Sequence, residues 1–368
     1  MTSILVFDTP YVPINLSVPA WLISALNYSN TAHPSQVNDS QVTEVFKAAI
    51  DALNSYAVPV ICVLGIIGDI TSFLVFVCTS FRYQPCSQYL AALTFVDTLF
   101  LFSQLISSMM TFFPALALAP GYCNVMVYMS YVCSFLSAWY VVFMMIERYI
   151  AVCHPFRTSA ISNKKKSIVL VAAMMVLSLM LYSHSVFTTS KSTQGNPCEV
   201  SRDYYDFISI FTYVDAILVF VIPFLAIVCL NLRIIFTVRK FRLQHNRLNH
   251  SIRRLQRYHN ADKTLSLAQV RSTKMLVWVS SIFILLHLPS YVARLYGLVL
   301  QKLQGGNISE SSRFRFMVAQ HICQFLYYLN FAIDFIVYVM SSNNFRRNVS
   351  RSVKNIRQCK FQCHCEYK

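Results

Sequence analysis

Glu147-Arg148-Tyr149 sets an acid, a guanidinium and a phenol in a row at the inner end of a long apolar stretch. Charge is costly beside hydrocarbon, so an ionisable group near the end of such a stretch marks a functional site. Cys123 opens the same stretch, 25 residues before Arg148. At 1.5 Å per residue that is roughly 37 Å, about one membrane with its interfaces. One helix therefore carries a thiol at one face of a membrane and a charged triplet at the other.

A second group of chemistry-bearing residues lies at mid-span. Asp97 sits midway along one apolar stretch, where a carboxyl needs partners. Ser137, Asn330 and Asp334 can supply them, the last two four residues apart on one helix face. Such a cluster can hold water, a proton or a structural Na+; the alternative is a packing network of interhelical hydrogen bonds. No nucleophile–base set and no metal motif is present, so neither an enzyme nor a further cofactor is expected.

The elements that must position these groups are apolar helices. Of 368 residues 56% are hydrophobic and only 12% charged, where a soluble domain carries about 25% charged residues. Seven stretches can cross about 30 Å of hydrocarbon: 57–80, 89–113, 122–147, 167–189, 207–232, 273–300 and 316–340. The fourth is weakened by Ser183, His184 and Ser185, and the fifth can continue beyond the membrane. The expected fold is an all-α membrane protein, a seven-transmembrane helix bundle with a short amphipathic eighth helix. Residues 1–55 are expected to be a flexible extracellular tail without a cleaved signal, 56–341 the bundle, and 342–368 a cytoplasmic amphipathic helix with a cysteine-rich tail.

Of the 31 Lys and Arg residues, 24 fall on segments that are inside if the N-terminus is outside. The positive-inside rule therefore orients the chain, and it explains the net charge of +16 without nucleic acid. The sequons at Asn15, Asn27, Asn38 and Asn307 all fall outside and are candidate glycosylation sites. Those at Asn249 and Asn348 fall inside, which measures how weak the pattern is. Among twelve cysteines, Cys123 and Cys198 are the two placed clearly outside and are expected to pair, with two free thiols as the alternative. Cys86 is expected in the first inner loop. Cys359, Cys363 and Cys365 are candidates for palmitoylation beside a basic amphipathic stretch, with unmodified thiols as the alternative.

Pro223 and Pro289 each remove an N–H from an apolar span and predict bends. Phe283 and His287 precede Pro289 on neighbouring faces, which predicts a hinge for the inner half of the sixth span. These residues also carry a family resemblance. Gly68, Leu93, Asp97, Cys123, Glu147-Arg148-Tyr149, Cys198, Pro223, Phe283, Pro289, Tyr338 and Phe345-Arg346-Arg347, in this order and spacing, resemble the rhodopsin-like G-protein-coupled receptors over roughly residues 55–360. The resemblance implies a multi-pass plasma-membrane receptor with an extracellular N-terminus, a cytoplasmic C-terminus and a heterotrimeric G protein as partner. It makes Glu147, Arg148, Tyr149, Phe283, His287, Pro289 and Tyr338 the switch. Several positions depart from the family pattern. Asp69 stands for the usual Asn, His287 for the usual Trp, and Asp334-Phe335-Ile336-Val337-Tyr338 for Asn-Pro-x-x-Tyr. Asn231 stands for a Tyr, the fourth span has no Trp, and no acid at the start of the sixth span faces Arg148. Glu147 is then the expected restraint on that arginine.

The resemblance also narrows the ligand. The seventh span has no Lys for a retinal Schiff base, and Ser130 stands where amine receptors carry Asp. Gln104, Ser130, Tyr131, Asp215, Tyr291, Arg294, Gln320, Gln324 and Tyr328 can line an outer cavity whose aromatics, amides and opposite charges suit an extended peptide. Glu199, Asp203 and Asp206 add an acidic rim. Arg294 can meet a peptide carbonyl or carboxylate and Asp215 an amine, unless the two pair with each other. The stretches 134–156 and 286–291 resemble invertebrate neuropeptide receptors, FMRFamide-type receptors among them. An extracellular neuropeptide is the leading expectation. The alternatives are a chemosensory or lipid receptor of the same fold, or an ion-coupled transporter. The basic loop from Arg239 to Arg271 can touch a Gα subunit or anionic membrane lipids.

Overall fold

In the computed structural model, the described residues are 49–50, 52–109, 113, 121–154, 163–190, 199–200, 204–251, 260–304 and 310–351. Asn15, Asn27, Asn38, Asn307, Cys198, Cys359, Cys363 and Cys365 lie outside them, as does most of the two terminal segments. Six helices are long and apolar enough to cross a membrane, and a bent pair supplies a seventh span.

The first span starts with a wide π turn, Leu53–Ala57, and continues as α1, Val58–Cys78. Helix α2 is Pro85–Met109, α3 is Tyr122–Cys153 and α4 is Lys164–Leu181. The Ser183-His184-Ser185 stretch does interrupt the fourth span: turns at 182–184 separate α4 from a single helical turn, Ser185–Thr188. Two-residue strands β1 (Thr189–Ser190) and β2 (Glu199–Val200) then pair antiparallel, and β1 packs on α3. Helix α5 is built from Tyr205–Ala216, a π segment Ile217–Val221, and Ile222–Ser251, so it does run on past the membrane. Helix α6 spans Asn260–Gln304 with Pro289 inside it. Helix α7 is Glu310–Ala332 and Asp334–Ser341, bent by 54° about Ile333, and α8 covers 343–351. Boundaries differ from the sequence expectation by a few residues. The largest consequence is at Cys86, which lies in the first turn of α2, buried, and not in an inner loop.

Helix α3 is the axle of the bundle, touching α2, α4, α5 and α6. It starts where Gly121, at φ +77°, turns the chain through a left-handed conformation that favours glycine. Lipid takes the place of solvent outside: Leu64, Ile67, Val169 and Met180 are exposed. Inside, close approach depends on small residues, as expected where hydrocarbon offers no hydrophobic drive between helices. Gly65 of α1 faces Leu101 of α2 and Ala332 of α7. A Cβ there would come within 2.9 Å of the Ala332 Cα, a backbone atom. One turn along, a Cβ on Gly68 would meet the Phe335 Cβ at 2.8 Å.

The α5 π segment shows how the bundle repairs its own defects. In π register the Leu218 carbonyl would accept from the N–H of residue 223, and Pro223 has none. The Trp139 indole of α3 donates to that carbonyl instead, at 3.2 Å. The π segment is thus tied to the axle.

Gly65→Val should force α1 and α7 apart and lower stability by about 1–3 kcal/mol. Thermal melting of the detergent-purified protein, with surface yield beside it, checks this; an unchanged melting temperature would show that the α1–α7 contact is slack.

Candidate functional site

Three polar regions lie along the bundle axis. The outer one is a cavity of about 60 Å³ lined by Phe100 and Gln104 of α2, Val127, Ser130, Tyr131 and Ser134 of α3, Asp215 of α5, Ser290, Tyr291 and Arg294 of α6, and Gln324 and Tyr327 of α7. Seven of the nine residues expected to face a ligand are among them. Gln320 and Tyr328 are not. Tyr328 turns toward α2, its ring 6.2 Å from that of Phe100, and Gln320 buries an Oε1 with no hydrogen-bond partner among the described residues. Tyr327 and Tyr328 straddle the direction of Gln324 on a helix of 3.6 residues per turn, so spacing alone does not choose between them. Phe100, Val127, Ser134, Ser290 and Tyr327 are the lining residues the sequence expectation lacks.

The cavity's two charges are joined. Arg294 Nη1 lies 3.5 Å from Asp215 Oδ2, and the Tyr182 hydroxyl donates to Asp215 Oδ1 at 2.8 Å. They are one unit, and the alternative in which they pair is the observed one. Tyr182 is fully buried at the end of α4 and stacks on Tyr131 at 5.4 Å. It reaches the interior because α4 ends there, immediately before the turns at 182–184. The sequence signal was the polar triplet that follows it. Tyr131 also lies 6.0 Å beneath the Arg294 guanidinium, within cation–π range. Gln104 Nε2 reaches Ser130 Oγ at 3.4 Å, and the Ser134 and Tyr327 hydroxyls meet at 2.5 Å.

Below the cavity the floor is aromatic. Phe283, His287 and Tyr291 recur every four residues and stack on one face of α6, with Phe283 and His287 rings 4.0 Å apart. They share a face, where neighbouring faces were expected. Tyr291 stacks on Phe220 at 4.8 Å, and Tyr327 meets His287 edge-on at 4.9 Å. His287 is buried, and neither ring nitrogen has a hydrogen-bond partner of normal geometry among the described residues. Asn330 is beside it.

The middle region holds three buried carboxyls: Asp97, Asp334 and also Asp69 of α1, each within electrostatic reach of another. Ser137 is beside Asp97. Both Asp69 oxygens, Asp97 Oδ1 and Ser137 Oγ lack hydrogen-bond partners among the described residues, while the Tyr338 hydroxyl donates to Asp334 Oδ2 at 3.1 Å. Asn330, one helical turn before Asp334, is buried as well. The signal for Asp69 was its departure from the family's usual Asn.

At the inner end, Arg148 Nε donates to Cys86 Sγ at 3.2 Å. The sequence expectation named Glu147 as the restraint; Cys86 is a partner it lacked, because a thiol placed in a loop has no fixed direction. Asn231 of α5 and Ser280 of α6 exchange two hydrogen bonds, of 3.0 and 3.1 Å. Tyr338, fully buried, packs edge-on against Phe76 and against Phe345 of α8. Cys123, at the other face, is disulfide-bonded, and the remaining described cysteines are free.

This arrangement has a match. The family model described as 7 transmembrane receptor (rhodopsin family) aligns with residues 70–338. The chain belongs to that family. It is similar to the thyrotropin-releasing hormone receptor of Bos taurus, with 27% identity over 339 residues, 85% of this chain and 81% of that one. Somatostatin receptor type 4 of Rattus norvegicus is 21% identical over 79% of this chain and 70% of its own. The neuromedin U receptor homolog nmur-2 of Caenorhabditis elegans is 23% identical over 80% and 77%. This receptor is thus a multi-pass membrane protein of a signalling family.

In this receptor the Asn231–Ser280 exchange is the clearest bond between α5 and α6 among the described residues. Both side chains are buried; without Ser280 the Asn231 amide loses this partner, whereas without Asn231 the Ser280 hydroxyl still has the Val277 carbonyl at 3.1 Å. Ser280→Ala should cost about 1–3 kcal/mol and Asn231→Ala about 0.5–1.5 kcal/mol, with the double variant clearly less than their sum. Melting of the four purified forms tests it; additive losses would show that the two side chains do not depend on each other.

Proposed function

We propose that this receptor binds an extracellular neuropeptide at the cavity between α2, α3, α5, α6 and α7, and passes the event to a heterotrimeric G protein at the inner end of α3. The observation that carries the reading is the composition of that cavity: aromatic rings, amides, hydroxyls and one ion pair, with no lone cation or anion. The relatives above are receptors for peptide hormones, which supports the same class. A cavity of about 60 Å³ has room for four to six waters at about 10–15 Å³ each. It admits one end of a peptide, with the remainder against the outer loops.

The plasma membrane, with the N-terminus outside, is the setting this function requires, and the distribution of Lys and Arg supports it. The three buried carboxyls then form a polar centre whose charge is met by protons or by a structural Na+. Oxygens of Asp97 and Ser137 without hydrogen-bond partners suit a hard cation. No cluster of three or more His, Cys, Asp or Glu with metal-binding geometry occurs among the described residues, so such an ion would lean on hydroxyl and amide oxygens as well.

Cells expressing the full chain, challenged with a synthetic neuropeptide collection, should show ligand-dependent G-protein activation. Arg148→Ala should abolish it at unchanged surface expression, because the guanidinium is the inner-face group in position to meet the Gα C-terminus. Full signalling by that variant would remove Arg148 from the mechanism. Peptide-driven ion flux without nucleotide exchange would favour the transporter reading.

A further inference from the structure

Arg148, the inner-face arginine, is held by a sulfur atom. Its Nε donates to Cys86 Sγ at 3.2 Å, and Cys86 is an almost fully buried free thiol. The thiol's place is fixed by local sequence. Gln84 is extended, and Pro85 starts α2, where its fixed φ suits the first helical turn and its missing N–H costs nothing. The Ser87 N–H closes back on the Gln84 carbonyl at 3.1 Å. The Gln88 amide donates to the Arg82 carbonyl at 3.0 Å, which ties the first inner turn to the helix. Cys86 lies within this braced turn. It meets α3 at the charged triplet, with Glu147 as well as Arg148 within electrostatic reach. One turn along α2, buried Tyr89 reaches Ser167 near the start of α4. Helices α2, α3 and α4 pack on one another around this contact.

Two roles can be weighed for the thiol. As a packing residue it would fill space, and its chemistry would be immaterial. As an acceptor it would hold the guanidinium toward α2. The hydrogen bond favours the second role, and the element gives the hold a particular strength. Sulfur is a weak acceptor, whereas a hydroxyl oxygen in the same place is a full one. An arginine tethered by sulfur is positioned yet easily released.

We infer that Cys86 is a positioning residue for Arg148: its sulfur holds the guanidinium against α2 and sets how readily that arginine turns to a Gα subunit. This rests on the reading above in which Arg148 meets Gα. The thiol acts through the arginine.

The test measures ligand-independent nucleotide exchange in membranes from cells expressing the full chain with Gα subunits of each class, at matched surface density. Cys86→Ala removes the acceptor and should raise exchange about fivefold, the factor that corresponds to a bond of about 1 kcal/mol. Cys86→Ser puts a stronger acceptor in nearly the same volume and should hold exchange at or below the wild-type level. A folding defect lowers exchange, so a gain in Cys86→Ala is not a loss of fold, and its absence in Cys86→Ser ties it to the acceptor. Cys86→Ala combined with Arg148→Ala should lose the gain, because the effect passes through the arginine. No gain in Cys86→Ala, an equal gain in Cys86→Ser, or a gain that survives in the double variant each overturns the inference. A synthetic neuropeptide collection is run alongside. If peptides drive exchange in the wild type while Cys86→Ala leaves ligand-independent exchange unmoved, the inference falls and the receptor reading stands. Silence of every form with every Gα, with and without peptides, overturns both readings together.

Discussion

Hydrocarbon offers a polar group nothing to bond to, and that constraint shapes every layer of this receptor. Serines and threonines within the helices turn back on their own turns, as Ser72 does to the Gly68 carbonyl, Thr94 to Leu90 and Thr212 to Ile208. Where a proline withholds a donor, Trp139 crosses from α3 to supply one. Where a carboxylate is buried at Asp215, a tyrosine and an arginine converge on it from two other elements. Against that background the incompletely satisfied groups are conspicuous. Arg294 Nε, both His287 nitrogens, Asp69 and Asp97 trace the axis of the bundle from the cavity to the middle. Unmet hydrogen-bonding capacity in a buried group is a cost that persists only where something else, a ligand, water, proton or ion, can meet it.

The cavity and the inner end are joined by packing. Tyr291 and Tyr327 line the cavity and both rings face His287, which stacks on Phe283; Phe331 and Phe100 close the sheath, stacked at 3.9 Å. Interiors this dense do not deform smoothly, so a ligand that moves Tyr291 or Tyr327 must be accommodated by a rotamer or helix shift one layer down. Among the described residues, hydrogen bonds join helices at the inner end. The Asn231–Ser280 exchange joins α5 to α6 and the Arg148–Cys86 contact joins α3 to α2, each hydrogen bond being of the order of 1 kcal/mol. Typical couplings between sites are about 1–3 kcal/mol, enough to tip bonds of that strength.

Much of this was legible in the sequence, for identifiable reasons. Span length gave seven helices because bilayer thickness is a fixed ruler. The Ser183-His184-Ser185 break and the continuation of α5 followed from local polarity. Seven cavity residues followed from helical phase and family position. The misses come from what phase cannot carry. Tyr182 enters the cavity only because α4 stops there. Tyr327 displaces Tyr328 by a choice between adjacent residues on one helix. Cys86 holds Arg148 because α2 begins earlier than its apolar run suggests. The Asp215–Arg294 bond depends on two helices whose relative rotation no single-helix pattern encodes. In each case the missing information is tertiary: which neighbour stands opposite.

The middle of the bundle links packing to charge in one place. Gly68 lets Phe335 lie against α1, and the adjoining residues Asp69 and Asp334 are both buried carboxyls within electrostatic reach of one another. Asp334 starts the second half of α7, directly after the 54° bend at Ile333. Three carboxyls at Asp69, Asp97 and Asp334, with no buried Lys or Arg among them, repel one another wherever more than one is ionised. Their spacing is set by how closely α7 lies on α1 and by the angle at Ile333. A change in that angle alters the repulsion, and a change in the charge alters the preferred angle. A proton or cation bound at this centre would therefore be linked thermodynamically to the geometry of α7, each biasing the other. An Asn in place of Asp69 would weaken that linkage by removing one of the three charges. The departure from the family pattern at this position thus falls where charge can act on the part of α7 that carries Tyr338.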